Sequence, residues 1–226
     1  MFEGSNNVMR NKLIIFDLDG TLVDTIEGIG FSMNKVLQNH GFPVHTIEAY
    51  RRFVGNGLRS LAKTVLPQNH RDDETIDLCY KEMLEVYSQF YSRGISLYPG
   101  IEDMLDRLTG EGYAIGINTN KDQRITEYIV KEFLGKWKFV KVIGDEGGYP
   151  KKPNPEAALA IAAEGGFKPY ESVYVGDSEV DYKTAQAAGM KPVSVLWGFR
   201  SREELIKLNP KGVIETPDEI FNKINP

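Results

Sequence analysis

The chain has 226 residues, of which 41% are hydrophobic and 26% charged, with a formal net charge of -5 and one cysteine, Cys79. That is enough for one large domain or a domain carrying a smaller insert, with the apolar content of an ordinary globular protein. The acidic balance speaks against nucleic-acid and membrane partners, the lone cysteine excludes an internal disulfide, and no run approaches the ~20 apolar residues of a membrane span.

Residues 1–10 are polar, begin again at Met9 and lack the apolar segment of a secretory signal, so they read as a flexible lead to a cytoplasmic protein. Leu13-Ile14-Ile15-Phe16 is an apolar run that breaks at once into Asp17-Leu18-Asp19-Gly20-Thr21. It reads as a central strand of a parallel sheet, buried on both faces, with its carboxylates at the edge where open α/β sheets take ligands. Ile26, Ile29, Met33, Val36 and Leu37 then recur at helical spacing up to Gly41. Thr46 is a cap residue for a short second helix. The glycine-broken stretch Phe53-Val54-Gly55-Asn56-Gly57 follows, and Leu58, Leu61, Ala62 and Val65 carry another helix to Pro67. Ile76, Tyr80, Met83, Leu84, Tyr87, Phe90 and Tyr91 make a long stripe in which Cys79 packs. No strand pattern occurs from Asp24 to Arg93, so residues 23–94 read as an all-helical insert, with Leu97-Tyr98-Pro99-Gly100 as the return hinge.

Beyond the hinge, helices and strands alternate. The strands are Tyr113 to Ile117, Phe139 to Ile143, Val173 to Val175, Val193 to Leu196 and the short Val213-Ile214. Asn154-Pro155 opens the helix that closes at Gly165, and Ser201 with Glu204 and Thr216 with Glu219 are capping signatures for two terminal helices. The expected fold class is α/β: a Rossmann-like parallel sheet with helices on both faces, formed by residues 11–22 and 95–226, with the small helical domain inserted after the first strand.

Four apolar-to-polar transitions stand at the strand ends: Asp17 with Asp19, Thr119 with Asn120, Lys152, and Asp177 with Asp181. Singly, each has a plain reading: an Asp-Gly turn, a helix cap, a solvated lysine, a cap with a surface partner. In a parallel sheet, however, all four meet on one edge. Two carboxylates ~4 Å apart at an effective dielectric near 20 repel by about 4 kcal/mol, which demands a cation, a shared proton or a use. A calcium loop does not fit, because it needs its glycine sixth and a glutamate twelfth, whereas counting from Asp17 the twelfth residue is Gly28. Phosphoryl transfer does fit. Magnesium compensates the carboxylates, Lys152 places a fixed positive charge on the phosphoryl oxygens, and Thr119 and nearby backbone amides hold the rest.

Asp17-Leu18-Asp19-Gly20-Thr21, Ile117-Asn118-Thr119-Asn120-Lys121, Lys152-Pro153-Asn154-Pro155 and Gly176-Asp177-Ser178-Glu179-Val180-Asp181 together resemble the four motifs of the haloacid dehalogenase superfamily, in its phosphoglycolate phosphatase-like branch. The resemblance runs from Lys12 nearly to the end of the chain. It implies a phosphoric monoester hydrolase that takes a small phosphate ester and works through an aspartyl-phosphate on Asp17. Asp19 is then the acid and base, and Thr119, Asn120 and Lys152 bind the phosphoryl group. Mg2+ is held by Asp17, Asp177 and the main-chain oxygen of Asp19, while Asp181 steadies Lys152 or a metal-bound water. The helical insert resembles the family's small cap, with Arg51, Arg52, Gly55, Asn56 and Arg59 as candidates for substrate specificity. Asn118 departs from the usual apolar residue before the threonine. Two other readings stay open at this point: a β-phosphoglucomutase-like mutase, and a receiver-like phosphoacceptor module. The sequence leaves the substrate and the oligomeric state undetermined.

Overall fold

The computed structural model describes residues 12–90, 94–209 and 211–224. The expected flexible lead 1–10 and Tyr91 lie outside them.

Strand β1 (Leu13–Phe16) is buried along its whole length, and its alternation serves two cores. Ile14 and Phe16 face one hydrophobic cluster, while Leu13 and Ile15 face the other. Opposite β1's end, β2 (Val23–Asp24) begins the insert, which continues through α1 (Ile26–Asn39), α2 (Ile47–Phe53), α3 (Leu58–Val65) and α4 (Asp73–Phe90). The apolar residues that set α1's period are all buried, and Gly41 takes the left-handed conformation just past its end, at φ 69. Thr46 caps α2, its hydroxyl accepting from the Ala49 amide at 3.3 Å. Cys79 is buried in α4.

The chain returns through β3 (Ser96–Leu97), which pairs antiparallel with β2. This two-stranded pair was not expected: runs of two residues carry no period, and only the partner strand makes them strands. Next come α5 (Ile101–Gly110), β4 (Ala114–Asp122), α6 (Gln123–Phe133), β5 (Val142–Asp145), α7 (Glu156–Glu164), β6 (Ser172–Gly176), α8 (Glu179–Ala188), β7 (Lys191–Val195), α9 (Arg202–Leu208), β8 (Val213–Ile214) and α10 (Ile220–Ile224).

The main sheet has the order β5-β4-β1-β6-β7-β8, and every neighbouring pair is parallel. Helices α7 and α8 cover one face, against Leu13, Ile15 and Tyr174. On the other face α5, α6 and α10 join a cluster that runs on into the insert. The fold is α/β, with helices on both faces, as expected.

Several boundaries differ from expectation. Strand β4 runs on through Asp122, because residues beyond Ile117 still pair with β5 after a register shift, so Thr119 and Asn120 lie inside a strand. Strand β5 starts at Val142 instead of Phe139, since its pairing begins opposite Ile117. Asn154 does accept the Glu156 amide at 2.8 Å. Ser201 and Glu204 form the capping box that opens α9, but Thr216 makes no side-chain cap, and a three-residue turn, Pro217–Glu219, precedes α10.

Among the described residues no helix is long and apolar enough to cross a membrane.

Candidate active site

Register positions the site. Phe16 lies level with Ile117 of β4 and Val175 of β6, so the residues just beyond these three emerge side by side. The chain leaves β1 toward β4 and β5 but leaves β6 toward β7 and β8, which opens a crevice at the β1/β6 boundary. Asp17, Asp19, Thr119, Lys152 and Asp177 line one pocket there, all but Asp19 almost fully buried. Val54, Gly55, Gly57, Leu58 and Leu61 of the insert also line it. Only about 30 Å³ between the acidic and the apolar wall is open to the centre of a water-sized molecule.

Lys152 is the electrostatic centre. Its Nζ lies 2.8 Å from Asp17 Oδ1 and donates to Asp181 Oδ1 at 2.6 Å. Burial opposes the ammonium, but Asp17 and Asp181 more than offset it, and the pKa stays well above the ordinary lysine value. Asp181 is held in turn by the amide and hydroxyl of Ser178, at 3.1 and 2.6 Å on Oδ2. One ammonium does not compensate the whole acidic set. Burial, reinforced by Asp181 and opposed by Lys152, pushes Asp17 up to about 7. Burial and the two neighbouring aspartates push Asp177 up to about 8.

Asp17, Asp177 and Asp181 each bring a carboxylate oxygen within 4.8 Å of the others. An all-oxygen donor set with excess negative charge fits a hard divalent cation. The backbone fits too: a Cβ at Gly20, whose φ is 82, would lie 2.4 Å from Asp177 Oδ2, so glycine alone lets the loop after β1 approach this carboxylate. Because both Asp181 oxygens already accept from Lys152 and Ser178, Asp17 and Asp177 are the freer ligands.

Asp19 Oδ1 accepts from Thr25 Oγ1 at 2.7 Å, and both its oxygens accept from Lys121 Nζ at 3.1 Å. Thr119 lines the pocket and is not a helix cap, since Asp122 caps α6 by accepting from Arg124 and Ile125. The Asn120 side chain is committed to backbone, accepting from the Lys152 amide at 2.8 Å and donating to the carbonyls of Lys152 and Gly55 at 3.2 and 3.1 Å. That leaves only its main chain for a phosphoryl oxygen. Asn118 is buried and its Nδ2 has no hydrogen-bond partner among the described residues, a cost of placing an amide in an apolar setting.

The insert residues separate. Gly55 lines the pocket, whereas Arg51 donates to Gly198 O at 3.4 Å and stands with Arg52 in a neighbouring groove. Asn56 is exposed. Arg59 is turned outward, 2.6 Å from Asp77 and 2.9 Å from Asp73, because α4 presents two carboxylates beside it.

Sequence reasoning missed Phe199, Arg200, Lys121 and Tyr87. The Phe199 amide donates to Asp177 Oδ2 at 2.6 Å, and Arg200 donates to the Arg51 and Val54 carbonyls of the insert at 2.6 and 2.8 Å. Gly198 was a signal for the first two, since a Cβ there would lie 2.3 Å from Asp177 Cβ. Lys121 follows Thr119-Asn120 directly, but Tyr87 carried no mark beyond its place in an apolar stripe.

A family model described as haloacid dehalogenase-like hydrolase matches residues 14–195. The chain belongs to the haloacid dehalogenase-like hydrolases. Among curated proteins the hydrolase is 31% identical over 218 residues to a phosphoglycolate phosphatase of Nitrosococcus oceani, covering 95% of this chain and 96% of that protein. It is likewise 31% identical over 204 residues to a phosphoglycolate phosphatase of Aliivibrio fischeri, covering 88% and 90%. Its fold is that of a predicted phosphoglycolate phosphatase of Haemophilus somnus, with a TM-score of 0.86 at 24% identity over 94% of this chain and 97% of that one. A haloacid dehalogenase-like hydrolase of Streptococcus pneumoniae gives a TM-score of 0.78 at 24% identity over 95% and 99%.

Proposed function

We propose that this hydrolase is a magnesium-dependent, cytoplasmic phosphatase of small phosphate monoesters, with phosphoglycolate the first substrate to test. The supporting observation is the Lys152 ammonium set between Asp17 and Asp181, with Asp177 alongside, at the floor of a pocket roofed by the helical insert. Relatives named phosphoglycolate phosphatase support the substrate class.

In this reading an Asp17 oxygen attacks phosphorus as the bond to the ester oxygen breaks, and the Asp19 carboxyl gives its proton to the departing alcohol. Asp19, now a carboxylate, takes a proton from the water that attacks the aspartyl-phosphate, and the phosphorus–Asp17 bond breaks to release phosphate. Lys152 and the Thr119 hydroxyl hold the phosphoryl oxygens, while Asp181 and Ser178 hold Lys152. Mg2+ would be held by Asp17, Asp177 and the main-chain oxygen of Asp19, and when bound it offsets the negative charge that these carboxylates and the phosphate share.

Residues 23–94 form a cap over the core of 11–22 and 95–226 in this reading. The small pocket volume favours compact substrates and requires the cap to part for entry. Gly55 and Arg200, which line the pocket, are then better placed for specificity than Arg59, Arg51 or Arg52. The test is a panel of phosphate esters with and without Mg2+, scored for free phosphate and for rearranged sugar phosphates. Metal-dependent release of phosphate from small esters is expected; isomerised sugar phosphate without release would overturn the reading.

A further inference from the structure

Lys121 is an unusual lysine. Its side chain is only 1% exposed, and its Nζ is shared between the core and the insert. From β4 it donates to both oxygens of Asp19 at 3.1 Å, and it donates to the hydroxyl of Tyr87, on α4, at 2.9 Å. The Tyr87 ring covers the same ammonium at 4.6 Å. A buried ammonium needs such partners, since each unmet N–H would carry a large desolvation penalty. Tyr87 is itself fully buried.

This chain of contacts joins the helical insert to the carboxylate read above as acid and base. We propose that Lys121 is a positioning residue for Asp19, and that Tyr87 holds Lys121 in place, so that the insert completes the alignment of the proton donor when it lies against the core. The inference rests on the assignment of Asp19 as the acid. Thr25 and Lys121 both engage Oδ1, while among the described residues Oδ2 accepts from Lys121 alone and so keeps lone-pair capacity. Without Lys121, the Thr25 bond is the one hydrogen bond left on the carboxyl among the described residues, and a donor displaced by ~1 Å loses much of its effect. The proton path is unchanged: it leaves Asp19 for the ester oxygen as that oxygen's bond to phosphorus breaks.

The test uses kcat/KM for a series of substituted phenyl phosphates, from phenyl to nitrophenyl, because this constant reports the steps up to alcohol release. A good leaving group needs little protonation, and a poor one depends on it. Loss of properly folded enzyme lowers every ester equally; loss of the acid lowers the poor leaving groups most. Asp19→Asn is expected to lower phenyl phosphate by ~10²- to 10⁴-fold and nitrophenyl phosphate far less. Lys121→Met is expected to reproduce that tilt at roughly 10- to 100-fold, and Tyr87→Phe at roughly 3- to 10-fold. A flat loss in Asp19→Asn would remove the acid assignment itself. A tilt in Asp19→Asn, with none in either Lys121→Met or Tyr87→Phe, would overturn the positioning role alone. Tyr87→Phe keeps the ring and its packing, so it remains decisive if Lys121→Met folds poorly.

Discussion

The Lys152 ammonium lies 2.8 Å from Asp17 Oδ1, and both side chains are nearly sealed from solvent. The same ammonium also serves Asp181, so removing it strips the counter-charge from two carboxylates at once. Breaking a buried pair by deleting one partner costs about 3–5 kcal/mol, part of which the carboxylates recover by protonating. Lys152→Ala should therefore lower the melting temperature at neutral pH and cut kcat on the order of 10²- to 10³-fold, as expected for a lost phosphoryl-oxygen contact. Steady-state kinetics with thermal melts check both, and near-normal turnover would remove Lys152 from the mechanism.

Asp17→Asn separates stability from activity. The neutral amide keeps the shape and removes a charge that burial and Asp181 oppose. Turnover should disappear, and no acid-stable or acyl-phosphate label should form, while the metal-free protein melts at the same temperature or higher above neutral pH. Substantial residual turnover would reject Asp17 as the nucleophile.

The metal-free protein should lose stability as pH rises. Burial pushes Asp17 up to about 7 and Asp177 up to about 8 in the folded chain, against an ordinary carboxylate value of 3.8. The folded state thus binds protons that the unfolded chain has released, so this contribution is full below the unfolded value and is lost as pH climbs through the folded values. Melts in chelator at about pH 5.5 and about pH 8.5 should show the higher temperature at the lower pH. Added Mg2+ should shrink the difference and restore turnover reversibly; a pH trend of the opposite sign, or one indifferent to Mg2+, speaks against the cation site.

Gly20→Ala probes the backbone of the site. The position holds a left-handed φ of 82, and the new methyl would meet Asp177 Oδ2 at 2.4 Å. The conformation alone costs roughly 1–2 kcal/mol, and the contact must displace the carboxylate or the loop. The expected outcome is a lower melting temperature together with weaker Mg2+ activation of phosphate release. A change in melting temperature with unaltered Mg2+ dependence would place the strain outside the site.

Arg200→Ala should loosen the insert. Its guanidinium is bonded to the Arg51 and Val54 carbonyls, and these bonds span core and insert. Limited proteolysis should cut the 53–57 loop faster, and KM should rise more than kcat falls. Unchanged cleavage and KM would show that the remaining core–insert contacts, Asn120 to Gly55 and Lys121 to Tyr87 among them, hold the insert without Arg200.

How much of this was legible beforehand follows from which physical signals are local. The β1 run, the stripes of α1, α3 and α4, and the Gly41 helix stop are matters of periodicity and backbone freedom, so a single stretch of chain carries them. The four clusters of polar residues were visible as abrupt breaks in or after apolar runs, and a parallel sheet brings them to one edge even though Thr119 and Asn120 lie inside β4. The β2/β3 pair, the extension of β4 through Asp122 and the outward turn of Arg59 depend on partners far along the chain, so no local pattern announced them.

By itself, the sequence determined the class of fold and the residue types of the acidic centre, because burial and backbone preference act over a few neighbouring residues. Tertiary structure decided which groups touch: Phe199 on Asp177, Asn120 on Lys152 and Gly55, and Lys121 between Asp19 and Tyr87. Hydrogen bonds and ion pairs act over about 3 Å, and only the register of β1 against β4 and β6, with the insert packed above, brings residues so remote in the chain within that range.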